Sequence, residues 1–132
     1  MTTREELFET GRQIRREVLG DAYVDQALRN ADDFNRPFQE FISEYAWGAI
    51  WSRQGLERKT RSLLNLAMLT ALNRPHELEI HVRGALHNGV TIEELREVFM
   101  HTSVYCGVPA ALDAFRVARR VLAEQAAAER KD

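Results

Sequence analysis

The chain has 132 residues, 45% of them hydrophobic and 29% charged, which is the make-up of one globular domain long enough to bury a core. A formal net charge of −2 argues against nucleic acid as a partner, although a few local arginines can still dominate a pocket for a small anion. No apolar run approaches the length of a membrane span, and the single cysteine, Cys106, excludes an internal disulfide and any Cys-x-x-Cys redox or zinc site. The opening Met1-Thr-Thr-Arg-Glu-Glu6 lacks the positive-then-apolar pattern of an export signal, so these absences together point to the cytoplasm.

Seven helical segments can be drawn and no convincing strand. Thr3-Arg-Glu-Glu6 is a capping-box pattern opening a first helix that fades at Leu19-Gly20, with a modest apolar stripe (Leu7, Ile14, Val18) suited to surface packing. Asp21 caps a short second helix to about Asn30, and residues 31–35 form a turn. The third helix runs from near Asn35, with Pro37 in its first turn, to about Trp51. Phe38, Phe41, Ile42, Tyr45 and Ala49 make its apolar stripe, while Glu40, Glu44, Trp47 and Trp51 share a second face. Two tryptophans beside a carboxylate fit a core or subunit contact, or else the wall of a pocket. Gly48 would let another helix come close.

The fourth helix spans about Leu56 to Asn73, and Leu63-Leu-Asn-Leu-Ala-Met-Leu-Thr-Ala-Leu72 is apolar on nearly every side, so it should be surrounded by protein. At its start Arg58, Arg61 and Asn65 fall on one face. Cations are disfavoured at a helix N-terminus, so two of them there need a reason beyond a solvated or ion-paired first turn. The fifth helix has both ends marked, by Pro75 in the first turn and Gly89 just past the end. Leu78, Val82, Ala85 and Leu86 form its core stripe. His81 sits at the margin of that stripe, on a polar shoulder with Glu77 and Asn88. It is either a core-edge histidine with a satisfied hydrogen bond or a titratable group presented to a pocket.

Thr91-Ile-Glu-Glu94 is a second capping box, opening a sixth helix with Leu95, Val98, Phe99, Thr102 and Cys106 on one stripe and His101 and Tyr105 as neighbours off it. Cys106 reads as a small buried side chain rather than a nucleophile. Pro109 opens the seventh helix, whose Ala110, Ala111, Ala114, Phe115 and Ala118 permit close packing, and the tail from Glu124 should fray. With no repeat, linker or second domain, residues 1–132 read as a single-domain, all-α bundle of about six to seven helices.

Familiar chemical motifs are missing: there is no P-loop, Gly-x-Gly-x-x-Gly, His-Glu-x-x-His or Gly-x-Ser-x-Gly. Helical spacing turns His76 and His87 away from His81, so no metal site is expected.

From Lys59 to Leu86 the chain resembles the carboxymuconolactone decarboxylase family, and Glu44-Tyr-Ala-Trp-Gly-Ala-Ile-Trp-Ser-Arg53, Val90-Thr-Ile-Glu-Glu-Leu-Arg-Glu-Val98 and Tyr105-Cys-Gly-Val-Pro-Ala-Ala111 extend the resemblance over roughly residues 5 to 122. The alkylhydroperoxidase-like sister branch carries Cys-x-x-Cys-x-x-x-His at the start of the same helix. Here Arg74 and Glu77 occupy the two cysteine positions while His81 keeps the histidine, which removes thiol-based peroxide reduction. The resemblance implies an alkylhydroperoxidase-like fold and a ring-like homo-oligomer, a hexamer or trimer, in which the Trp-bearing and alanine-rich faces find a partner.

The implied reaction is decarboxylation of gamma-carboxymuconolactone, a dianionic lactone, to 3-oxoadipate enol-lactone and carbon dioxide, in breakdown of protocatechuate by the beta-ketoadipate pathway. The departing carboxylate is conjugated through a double bond to the lactone carbonyl, so the substrate is its own electron sink and no cofactor is expected. The protein must anchor a dianion, stabilise charge on the lactone oxygen and return a proton to carbon. Arg61 is the first choice to grip the spectator carboxylate, with Arg58 or Arg83 as substitutes. His81, the one residue carried over from a family motif, would donate to the lactone oxygen or deliver the proton. From face geometry and chemistry, Glu44 would orient or reprotonate His81, Trp47 and Trp51 would exclude water, and Tyr105 would be a second donor. Two alternatives stay open: an enzyme of the same fold acting on another lactone or oxo-acid, and a non-catalytic oligomeric binding protein in which His81 is packed solid.

Overall fold

The computed structural model describes residues 1–131, and among them every regular element is helical: α1 (Arg4–Leu19), α2 (Asp21–Arg29), α3 (Arg36–Ile42) continued by a π-helical segment (Ser43–Ile50), α4 (Arg58–Ala71), α5 (Pro75–His87), α6 (Ile92–Cys106) and α7 (Val108–Lys131). The chain packs as two compact units, Met1–Arg58 and Lys59–Asp132. Among the described residues no helix is long and apolar enough to cross a membrane.

Both capping boxes form. Thr3 Oγ1 accepts from the Glu6 backbone N–H at 3.1 Å while the Glu6 carboxylate accepts from Thr3 N–H at 3.3 Å. Thr91 and Glu94 repeat the exchange at 3.1 and 2.9 Å. The Thr91 backbone N–H, and after it an ion pair from Lys59 at 3.0 Å, hold the Glu94 carboxyl below its usual 4.5. A carboxyl lowered in the fold adds stability above its ordinary value and loses it as pH falls through the lowered one. Between about pH 6 and about pH 3 the wild type should therefore lose more thermal stability than Glu94→Gln, whose amide still caps but carries no charge. Equal losses in far-UV circular dichroism melts would remove this charge from the acid response.

In the Met1–Arg58 unit, α1 buries one stripe and leaves its polar faces exposed, as expected. Gly11, Ile14, Arg15 and Val18 are buried, and Ile14 and Val18 pack with Trp47 and Trp51 into one core. Contact is made backbone to backbone. A Cβ on Gly11 would collide with the Ser43 carbonyl oxygen and stand 2.7 Å from Gly48 N, and one on Gly48 would strike the Leu7 carbonyl. The close neighbour expected for Gly48 is thus α1.

The third helix departs from its expected form. From Ser43 the hydrogen bonds run to the fifth residue back, as in Trp51 N–H to Ala46 O at 3.0 Å, and this wider turn re-aims the side chains. Trp47 and Trp51 stack at 4.6 Å inside the core, whereas Phe38, Phe41 and Tyr45, expected as the apolar stripe, are 60%, 51% and 59% exposed. They stack on one another instead, at 6.5 and 5.2 Å between ring centres. The turn at residues 31–35 forms as expected, with Asp32 Oδ1 accepting from the Phe34 and Asn35 backbone N–H groups at 3.0 and 3.1 Å.

The Lys59–Asp132 unit buries Leu66 of α4, Val82 of α5, Phe99 of α6 and Val121 of α7 in one core. Two expectations are corrected there. The α4 helix is covered on one side only, with Leu64, Met68 and Leu72 exposed along the other. The tail from Glu124 does not fray: α7 continues to Lys131, because Gln-Ala-Ala-Ala-Glu-Arg-Lys is made of strong helix formers and Arg83 pairs with Glu124 at 2.8 Å. The alanines of α7 serve that core as well, since Ala111, Ala114 and Ala118 are buried within the unit.

Candidate active site

Helix α5 places the histidine. Pro75 starts it, Leu78, Val82 and Ala85 anchor it to the core, and Gly89 leaves it at φ +91°. His81, one position off that stripe, is half-buried, so it is neither solvated nor packed solid. Asn65 of α4 brings its side-chain Nδ2 to 3.5 Å from His81 Nδ1. Further along, Asn88 Nδ2 donates to Ser62 Oγ at 3.1 Å, so two polar links tie the shoulder of α5 to α4.

Asn65 is the residue that the sequence reading left without a role beside His81. Its signal was present: an amide inside Leu63-Leu-Asn-Leu-Ala-Met-Leu must find a partner when the helix is buried. Arg61, half-buried, lies one turn before Asn65 and thus on the same side of α4. Arg58 is held by Glu17 at 2.5 Å, and Arg83 is paired with Glu79 at 3.4 Å and Glu124 at 2.8 Å, so a substrate carboxylate would have to displace a protein carboxylate from either. Hydrogen bonds from Gln13 and then Arg58 hold the Glu17 carboxyl below its ordinary range.

The other candidates fall in separate groups. In the Met1–Arg58 unit, Glu44 pairs with Arg4 at 3.1 Å and is 17% exposed, in a cleft of about 280 Å³ lined also by Glu5, Phe8 and Glu40. Trp47 and Trp51, 5% and 9% exposed, belong to that unit's core. In the Lys59–Asp132 unit, Tyr105 is 77% exposed near the end of α6 and packs on His101 at 5.0 Å between ring centres. Cys106 is exposed, contrary to its expected burial, because it falls at the last turn of α6, beyond the buried Phe99 and Thr102.

Comparison with known proteins bears on the same residues. The sequence profile of the carboxymuconolactone decarboxylase family matches residues 36–120, which include Glu44, Arg61, Asn65 and His81. The chain belongs to the carboxymuconolactone decarboxylase family. Within it, the chain is 46% identical to a 4-carboxymuconolactone decarboxylase from Acinetobacter baylyi, over 96% of this chain and 95% of that one. It is also 48% identical, over 88% of this chain and 81% of the other, to the nitrosuccinic acid decarboxylase npaB of Metarhizium robertsii. Both relatives are named decarboxylases. The family match spans the Lys59–Leu86 stretch that carried the resemblance, and His81 lies within it.

Proposed function

We propose that this protein is a carboxy-lyase that converts 4-carboxymuconolactone to 3-oxoadipate enol-lactone and carbon dioxide without a cofactor. The observation that carries the proposal is the half-buried His81, with Asn65 at its Nδ1 and Arg61 one turn away, in a chain nearly half identical to a decarboxylase of that name. The carbon–carbon bond to the departing carboxylate breaks, its electron pair moves through the ring double bond to the lactone carbonyl, and a proton then joins carbon. Arg61 grips the spectator carboxylate. Its place in the first turn of α4 adds the positive end of the helix to its own charge, which accounts for a cation at an otherwise unfavourable position. His81 meets the charge on the lactone oxygen, or returns the proton. In this scheme Tyr105, in the same unit as His81, is a second donor.

A second substrate is favoured by the fungal relative. Its named substrate is also a dicarboxylic acid with a built-in electron sink, the nitro group, so charge would grow on the nitro oxygens in place of the lactone oxygen. Purified protein in the presence of a chelator should consume the lactone and release carbon dioxide, with kcat/KM above that for nitrosuccinate. Arg61→Met should raise KM roughly ten- to hundredfold through loss of a charge-assisted pair. A clear preference for nitrosuccinate would replace the substrate, and failure on both acids would sink the decarboxylase assignment.

Self-association into a trimer or hexamer belongs to the same proposal. The Trp-bearing and alanine-rich faces are used inside the units, so the faces offered to a second copy are Phe38-Phe41-Tyr45 and Leu64-Met68-Leu72. The same proposal places the protein in the cytoplasm, where a lone exposed thiol such as Cys106 is kept reduced.

A further inference from the structure

We infer that Asn65 is a positioning residue that keeps the proton of His81 on Nε2, so that His81 serves as a neutral hydrogen-bond donor to the lactone oxygen and not as the proton source. The inference rests on the decarboxylase assignment for its catalytic meaning, and on one contact for its geometry. The Asn65 Nδ2 amide stands 3.5 Å from His81 Nδ1. An amide nitrogen can only donate, so Nδ1 is the lone-pair nitrogen, and a neutral imidazole then has its single N–H at Nε2. A second proton on Nδ1 would point one N–H at another. A neutral Nε2–H ring that gave up its proton would become an imidazolate. Neither step suits a proton carrier.

A fixed donor is what the reaction needs. Loss of carbon dioxide requires no proton abstraction; charge grows on the lactone oxygen first, where a pre-aimed N–H stabilises it without rearrangement. Carbon is protonated afterwards by water or by another acid of the site. Helix α4 suits this holding role because the neighbouring Ser62 and Leu66 are buried and fix the backbone from which Asn65 projects.

Nitrogen-15 NMR of the histidine rings, with the His81 signals assigned by their loss in His81→Gln, reads the tautomer directly at about pH 8, where a free imidazole is neutral. The wild type should show a bare Nδ1 and a protonated Nε2. Asn65→Asp offers Nδ1 an acceptor in place of a donor. It should move the proton to Nδ1 and lower kcat at least about tenfold with KM nearly unchanged. Asn65→Leu, of similar volume, should keep the fold, lose the single-tautomer signature and give an intermediate kcat. A protonated Nδ1 in the wild type, or the same tautomer in wild type and Asn65→Asp, overturns the inference. Because the rings are read without substrate, failure of the wild type to turn over the lactone would count against the proposed reaction alone.

Discussion

His81→Ala is expected to lower kcat toward 4-carboxymuconolactone by about two orders of magnitude or more, with a much smaller change in KM. Loss of one oriented donor at a developing oxyanion costs about a hundred- to a thousandfold, and loss of an acid–base group falls in the same range or above. In the proposed scheme Arg61 grips the spectator carboxylate, so ground-state binding should survive the change. His81 is half-buried at the margin of the α5 stripe, and Leu78, Val82 and Ala85 keep the helix anchored without it. His81→Gln separates the two roles: its amide keeps an N–H but cannot carry a proton through the pH range of catalysis. A glutamine variant that retains several times the alanine variant's activity marks a donor. One as dead as alanine marks a proton carrier. Near-normal turnover by His81→Ala would take the residue out of the mechanism.

Gly11→Ala is expected to destabilise the protein by roughly 3 kcal/mol or more, at the upper end of what overpacking costs. Alanine would gain about 1 kcal/mol of helix propensity over glycine, so the loss must come from packing. The added carbon meets the Ser43 carbonyl oxygen and Gly48 N, both backbone, which cannot swing aside as a side chain would. To admit it, α1 and the π-helical segment must separate, and the Ile14, Val18, Trp47 and Trp51 core opens with them. At this chain length the fall in melting temperature is on the order of 10 °C. Gly55→Ala is the control, since a Cβ there meets nothing within 4 Å. Urea or thermal melts in which the Gly11 and Gly55 variants match would show that the two backbones can part without cost.

The sequence by itself determined the helical class, most helix starts and the position of His81. These are local matters. A capping box is settled by residues three apart, a proline admits a helix start, and the alternation of Leu78, Val82 and Ala85 assigns His81 to an edge wherever the partner lies. The family motif then made that edge histidine a candidate for chemistry, and the absence of thiols at Arg74 and Glu77 separated it from the redox branch.

Only the tertiary structure decided which face of a helix is covered. Phe38, Phe41 and Tyr45 are as apolar as any core stripe, yet the wider turn after Ser43 and the glycine contact with α1 bury the tryptophan side instead. Helix α4 is apolar nearly all round, and nothing local tells that Leu66 is enclosed while Leu64 and Met68 are exposed. Arg58 is held by Glu17, forty-one residues away, in an ion pair that the sequence pattern could not have revealed. Asn65 is a similar case. An amide in an apolar run announces that it needs a partner, whereas its partner, sixteen residues away, is chosen by how α4 and α5 pack. Periodicity reports what each helix offers, and packing alone determines what takes it up.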